Sequence, residues 1–134
     1  MTQRILLAED NEDNRTIYRT ILEHSGYTVV EAQDGEAAVR LAAEERPDLI
    51  LLDISMPVLD GWEAIRQIRE LPDVPRVPIV ALTAHALQQD RAKAVAEGFD
   101  SYLAKPVEPR RVVEEVRRLL DGGTDREQGT GNRE

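Results

Sequence analysis

Three carboxylates, a hydroxyl and a lysine stand directly after short apolar runs in this 134-residue chain. Glu9 and Asp10 follow Ile5-Leu6-Leu7-Ala8, Asp53 closes Leu49-Ile50-Leu51-Leu52, Thr83 follows Ile79-Val80-Ala81-Leu82, and Lys105 follows Tyr102-Leu103-Ala104. With no cysteine and only two histidines far apart in sequence, the ligand set is oxygen alone. Hard oxygen donors favour a hard divalent ion that keeps several waters, hence Mg²⁺ or Mn²⁺ over zinc. Brought together without a cation, the carboxylates would repel by roughly 4 kcal/mol per pair at about 4 Å and an effective dielectric of about 20. Lys105 supplies a second, fixed cation, a point charge suited to an anion such as phosphate. Taken singly, each residue has a plain alternative: Asp53 a loop aspartate, Glu9 to Asn14 a solvated turn and helix N-cap, Lys105 a solvent-facing lysine before a turn. Their shared position after apolar runs is what separates them from those alternatives.

The intervening segments read as helices. Ile17, Tyr18, Ile21 and Leu22 recur at spacings of three and four before Ser25-Gly26, the signature of a helix with one apolar face. A β-branched strand, Tyr27 to Ala32, leads through Asp34-Gly35 to a helix with Ala38, Leu41 and Ala42 inward, ended by Arg46-Pro47. The run at Asp48 to Asp53 is apolar without alternation, as a strand covered on both faces must be. After a turn through Pro57 and Gly61, Trp62, Ile65 and Ile68 share a helix face; Trp62 reads as a core-rim aromatic, with ligand stacking as the alternative. Pro72, Pro75 and Pro78 punctuate a loop. Leu87 to Glu97 predicts a helix with a weak apolar face of Ala92, Val95 and Ala96, closed by Gly98. The last helix begins at Glu108-Pro109, proline at its permitted first position, and buries Val112, Val113, Val116, Leu119 and Leu120. Five strands alternating with helices specify right-handed crossovers and a three-layer α/β/α fold with a parallel sheet. All strands then point the same way, and Glu9, Asp10, Asp53, Thr83 and Lys105 emerge on one edge, where open α/β sheets keep their sites.

Composition excludes much else. Lys+Arg 17 against Asp+Glu 26 leaves a net charge of −9, which argues against direct nucleic-acid or anionic-membrane binding. Absent cysteines rule out disulfides and thiol chemistry, and no stretch approaches the roughly 18 apolar residues of a membrane span. The N-terminus is unlike a signal peptide, so a cytoplasmic location is expected. The length fits one domain, expected over residues 1–120, with 121–134 a flexible polar tail that lacks aliphatic or aromatic residues to offset its ordering entropy.

Glu9-Asp10, Asp53 within Asp-Ile-Ser-Met-Pro, Thr83-Ala84 and Tyr102-Leu103-Ala104-Lys105-Pro106 together resemble the receiver domain of two-component response regulators, over about residues 3 to 120. The resemblance implies a doubly wound, flavodoxin-like sheet of order 2-1-3-4-5, the class for which a receiver protein is a stock example. It implies that Asp53 accepts a phosphoryl group and that Asp10, Asp53, the Ser55 backbone carbonyl and, through water, Glu9 hold Mg²⁺. Thr83 would bond the phosphoryl oxygens, Lys105 would pair with them, and the Lys105–Pro106 bond would be cis. Tyr102 occupies the switch-aromatic position, with a half-buried edge-strand tyrosine as its alternative.

On this reading the chain is a phosphoacceptor and switch, assisting its own phosphotransfer and autodephosphorylation, and not a turnover enzyme. Its donor would be a sensor histidine kinase or histidine phosphotransfer protein, and its target would read the face of helix 4, strand 5 and helix 5. Ser55 and His85 are candidates for tuning phosphoryl lifetime, His85 through its ordinary pKa of about 6.5; the alternative for His85 is a solvent-facing start to the fourth helix. A haloacid-dehalogenase-type phosphatase would need a second Asp where Ser55 stands, and a flavodoxin-type flavin site would be repelled by the acidic run after the first strand. The same motifs also resemble receiver modules of hybrid histidine kinases; Met1 and the short tail favour a free-standing regulator.

Overall fold

The apolar runs become strands and the periodic segments helices. The computed structural model describes residues 2–72, 74–84 and 88–121. In chain order these are β1 (Arg4–Ala8), α1 (Glu12–His24), β2 (Thr28–Ala32), α2 (Gly35–Glu45), β3 (Leu49–Asp53), α3 (Gly61–Arg69), β4 (Ile79–Thr83), α4 (Gln88–Ala96), β5 (Ser101–Ala104) and α5 (Pro109–Asp121). All four strand pairings are parallel, and the sheet order is β2-β1-β3-β4-β5, as expected.

Side-chain alternation along the strands divides the core in two. Leu6, Ala8, Ile50, Leu52, Ile79 and Ala81 face one side and pack with residues of α2 and α3. Ile5, Leu7, Leu49, Leu51, Val80 and Leu82 face the other, against Tyr18 and Leu22 of α1 and the valines of α5. A sheet buried on both faces needs no polar side in its strands, which is why β3 reads as an unbroken apolar run. Asn11, Asp34 and Asp60 cap α1, α2 and α3, each side chain accepting the backbone N–H three residues on.

Two helix faces differ from expectation. In α4, Ala94 is buried, while Ala92 and Ala96 are exposed and Val95 is 67% exposed. A helix whose apolar residues are mostly alanine has little hydrophobic asymmetry to fix its rotation; here Lys93 lies 4.4 Å over the Trp62 ring, and Trp62 meets Phe99 edge to face at 5.8 Å. Trp62 is thus a core-rim aromatic. In α1, Ile17 is 47% exposed; Arg15 instead takes a buried place beside Tyr18 and Leu22.

Glu115 is the second charged residue inside a helix's apolar stripe. It accepts hydrogen bonds from Ser101 Oγ, Arg111 Nη1 at 3.0 Å and the Arg118 guanidinium. Burial alone would raise its pKa, but the bonds from Arg118, Ser101 and Arg111 outweigh it and bring the carboxyl down to about 2. A carboxyl depressed by folding stabilises above its ordinary pKa and loses that contribution as pH falls toward the depressed value. Glu115→Gln should therefore cost about 2 kcal/mol at pH 7, a figure discounted for the half-exposed arginines, and progressively less between pH 4.5 and 2. Denaturant unfolding of both proteins across that range checks it; a cost that does not change with pH would contradict the assignment.

Candidate functional site

β3 delivers Asp53 fully buried at the carboxyl edge of the sheet. Ser55 donates to its Oδ1 twice, from the backbone N at 3.0 Å and from Oγ at 3.1 Å. Its Oδ2 accepts from Lys105 Nζ at 2.7 Å. Lys105 arrives from the neighbouring strand but one: β5 pairs with β4, Thr83 opposite Ala104, and Lys105 N donates to the Thr83 carbonyl at 2.6 Å. Asp53 itself is opposite Leu82, which places the buried Thr83 one residue further along the same edge. The Lys105–Pro106 bond is cis.

Glu9 reaches the same point from β1. It is fully buried, its Oε2 takes the Asn11 N–H at 3.1 Å, and its Oε1 lies 3.2 Å from Lys105 Nζ. Oε1 is buried and accepts no hydrogen bond. Burial raises the Glu9 pKa and the Asp53 charge raises it further, against the opposing pull of Lys105. Burial lowers Lys105, but its bonds and charge contacts with Asp53 and Glu9 win, and its pKa ends raised. Tyr18 behind them is raised too, by burial and then by the Glu9 charge.

Asp10, exposed, completes the group: one carboxylate oxygen from each of Glu9, Asp10 and Asp53 lies within 4.8 Å of the others. Two of these carboxylates, Glu9 and Asp53, share Lys105. The donor chemistry, three hard oxygens with one buried and lacking a donor, fits a small divalent cation.

A family model described as the response regulator receiver domain matches residues 5–117. This chain is a member of the receiver domain family. Its relatives include the polar-differentiation response regulator DivK of Brucella ovis, 33% identical over 120 residues, which cover 90% of this chain and 98% of DivK. Solved structures include the receiver domain of the sensor histidine kinase PA1611 from Pseudomonas aeruginosa PAO1, with magnesium coordinated in its active-site cleft: 44% identity, 90% of this chain and 99% of that one covered, TM-score 0.82. The chemotaxis response regulator CheY4 of Vibrio cholerae superposes with a TM-score of 0.84 at 28% identity, covering 90% of this chain and all of that one. A receiver domain is a phosphoacceptor in two-component signalling, exchanging with histidine kinases or phosphotransfer proteins and acting on downstream targets.

Of the residues singled out in the sequence, Glu9, Asp10, Asp53, Ser55 and Lys105 meet in this receiver's cleft, and Thr83 stands at the same edge. Tyr102 is buried on β5, the Arg91 guanidinium 4.9 Å above its ring. His85 and residues 122–134 lie outside the described residues, and Asp121 is the last residue of α5. Among the described residues no helix is long and apolar enough to cross a membrane. Arg15 went unmarked in the sequence. Its signal was present: a charged residue in register with Tyr18 and Leu22 on an apolar stripe requires a buried partner.

Proposed function

We propose that Asp53 is the phosphoacceptor, taking a phosphoryl group from a phosphohistidine of a kinase or phosphotransfer protein in a Mg²⁺-dependent reaction. The reading rests above all on Asp53 being buried, held by Lys105 at 2.7 Å, and within 4.8 Å of two further carboxylates. An Asp53 oxygen attacks phosphorus, the P–N bond breaks, and the imidazole leaves with its electron pair. Phosphoryl transfer of this kind depends on positioning and charge neutralisation more than on covalent help. Ser55 N–H and Oγ–H orient the carboxylate, Lys105 shifts its charge to the incoming phosphoryl oxygens, and the Thr83 hydroxyl bonds one of them. Asp10, Asp53, the Ser55 carbonyl and, through water, Glu9 would hold Mg²⁺. That ion, with Mn²⁺ as a substitute, would neutralise charge on both the carboxylate and the phosphoryl group. Water attack on the resulting acyl phosphate returns Asp53 and inorganic phosphate, with Ser55 and His85 tuning the rate.

The added charge draws Thr83 toward Asp53, frees space for Tyr102, and alters the face of α4, β5 and α5 that a protein target reads. Moving such a switch from 1:99 to 99:1 takes about 5.5 kcal/mol of differential stabilisation, which a bound target helps to supply. Residues 1–120 form the receiver unit on this reading and 121–134 a polar tail, working in the cytoplasm. A second setting, a receiver module within a hybrid histidine kinase, is favoured by the higher identity to the kinase receiver than to DivK.

The test is intact mass after incubation with Mg²⁺ and acetyl phosphate, with Asp53→Asn in parallel. A labile gain of one phosphoryl group in the parent alone, abolished by chelator, is the expected result. A gain retained by Asp53→Asn would move the acceptor elsewhere. No gain in a folded, Mg²⁺-binding parent would leave a phosphorylation-independent binding module.

A further inference from the structure

Arg15 is a buried arginine of α1 that fastens the backbone of the cleft: one of its nitrogens holds a peptide and another anchors the guanidinium to β2. Nη1 donates to the Glu9 backbone carbonyl at 2.9 Å, and Nε pairs with Glu31 Oε1 at 2.9 Å. Glu31 belongs to β2, and its other oxygen lies 2.6 Å from Arg19 Nε in an ion pair. The Glu9 N–H donates to the Ala32 carbonyl at 3.1 Å, so the chain here is fastened on both sides of the residue.

The Glu9 carbonyl is part of the peptide plane that joins Glu9 to Asp10. A peptide is rigid, so holding its carbonyl together with the Glu9 N–H fixes the direction in which the Glu9 side chain leaves the backbone and the place of the Asp10 Cα, leaving only the φ rotation of Asp10. Holding that carbonyl therefore holds the two acids relative to one another. Unheld, two carboxylates that repel have every reason to turn the plane and part. The guanidinium is suited to the task because its planar fork bonds two acceptors in fixed directions, which an ammonium cannot.

We infer that Arg15 is the positioning residue for the cation-binding half of the cleft, setting the Glu9–Asp10 peptide so that both carboxylates converge on a divalent ion. This rests on the reading of Glu9 and Asp10 as metal-binding residues. The inference has a sign opposite to simple electrostatics. Removing a positive charge near an acidic cluster strengthens cation binding; removing the group that aims the ligands weakens it.

The experiment is calorimetric titration of Mg²⁺ into the unphosphorylated parent, Arg15→Met, Arg15→Lys and Arg19→Met, each checked for cooperative thermal unfolding. Arg19→Met removes the other cation on Glu31 without touching Glu9. Outer-sphere partners of metal ligands typically carry 10- to 100-fold in affinity. Arg15→Met is expected to weaken Mg²⁺ binding about tenfold or more, Arg15→Lys to fall between it and the parent, and Arg19→Met to bind as the parent does or slightly tighter. Should Arg15→Met fail to fold, Arg15→Lys decides alone. Unchanged or tighter binding in the Arg15 variants overturns the inference and leaves the metal reading intact, as does equal weakening by Arg19→Met. A parent that takes up no Mg²⁺ overturns both.

Discussion

Lys105→Met should slow phosphoryl uptake from acetyl phosphate by about 10²- to 10³-fold at saturating Mg²⁺, the usual loss when one preorganised charge-stabilising donor is removed. Lys105 Nζ is 2.7 Å from Asp53 Oδ2 before any phosphoryl group arrives, so its position requires no reorganisation during the reaction. The same change strips the cation from two buried carboxylates, Asp53 and Glu9. Breaking a buried pair by removing one partner costs about 3 kcal/mol or more, because the other charge is left without compensation. Thermal unfolding at pH 7 without divalent ions should show that loss. It should shrink toward pH 5, since the Glu9 carboxyl, already raised by burial and by Asp53, protonates more readily once Lys105 is gone. Added Mg²⁺ should stabilise Lys105→Met more than it stabilises the parent. A variant that folds and takes up phosphate at the parental rate would remove Lys105 from the mechanism.

Gly35→Ala should be among the most damaging single-methyl changes in the chain. A Cβ at Gly35, the first residue of α2, would lie 1.7 Å from the Leu59 carbonyl oxygen, 2.6 Å from its carbon and 2.8 Å from its Cβ. Two of those atoms are backbone, so no side-chain rotation relieves the overlap. Overpacking costs typically 1–3 kcal/mol and more where the obstacle cannot yield, so about 3 kcal/mol, or roughly 10 °C in Tm, is expected. The strain falls on the segment 54–60, which links Asp53 to α3. That segment has no slack at its far end either, since a Cβ on Gly61 would meet Ile54 Cα at 2.6 Å and the Asp53 carbonyl oxygen at 2.8 Å. Gly35→Ala should accordingly slow phosphoryl uptake as well as lower Tm. Leu59→Ala in the same chain should not rescue it, because the carbonyl stays where it is. A Gly35→Ala protein with parental Tm would show that α2 stands further from this segment than described.

Strand positions were legible because a strand buried on both faces must be apolar throughout, and each such run is bounded by residues that cannot continue it. Once all strands run parallel, their ends share an edge, and the convergence of Glu9, Asp10, Asp53 and Lys105 follows. The family motifs supplied what alternation could not: the order of strands and the cis bond before Pro106. Periodicity failed where apolar residues were small or too numerous. Alanines in α4 left its rotation undetermined, and the four-residue stripe of α1 is wider than the surface it covers, so Ile17 is left half outside. It failed again at Arg15 and Glu115, since a charged residue in a buried stripe declares itself through partners that periodicity does not register: Glu31 on β2 for Arg15, and Ser101 on β5 with Arg111 and Arg118 of the same helix for Glu115. Gly35 and Gly61 read as turn and helix-start glycines, and only the folded chain shows how close the backbone passes.

Lys105 and Glu9 are 96 positions apart, and Lys105 and Asp53 are 52 apart. During synthesis the acids leave the ribosome first and their neutralising lysine comes last, on the final strand of the sheet. A nascent chain holding β1 through β4 thus carries Glu9 and Asp53 without the lysine that contacts both, and the phosphoacceptor chemistry proposed for Asp53 gains its fixed cation only once translation has passed β5.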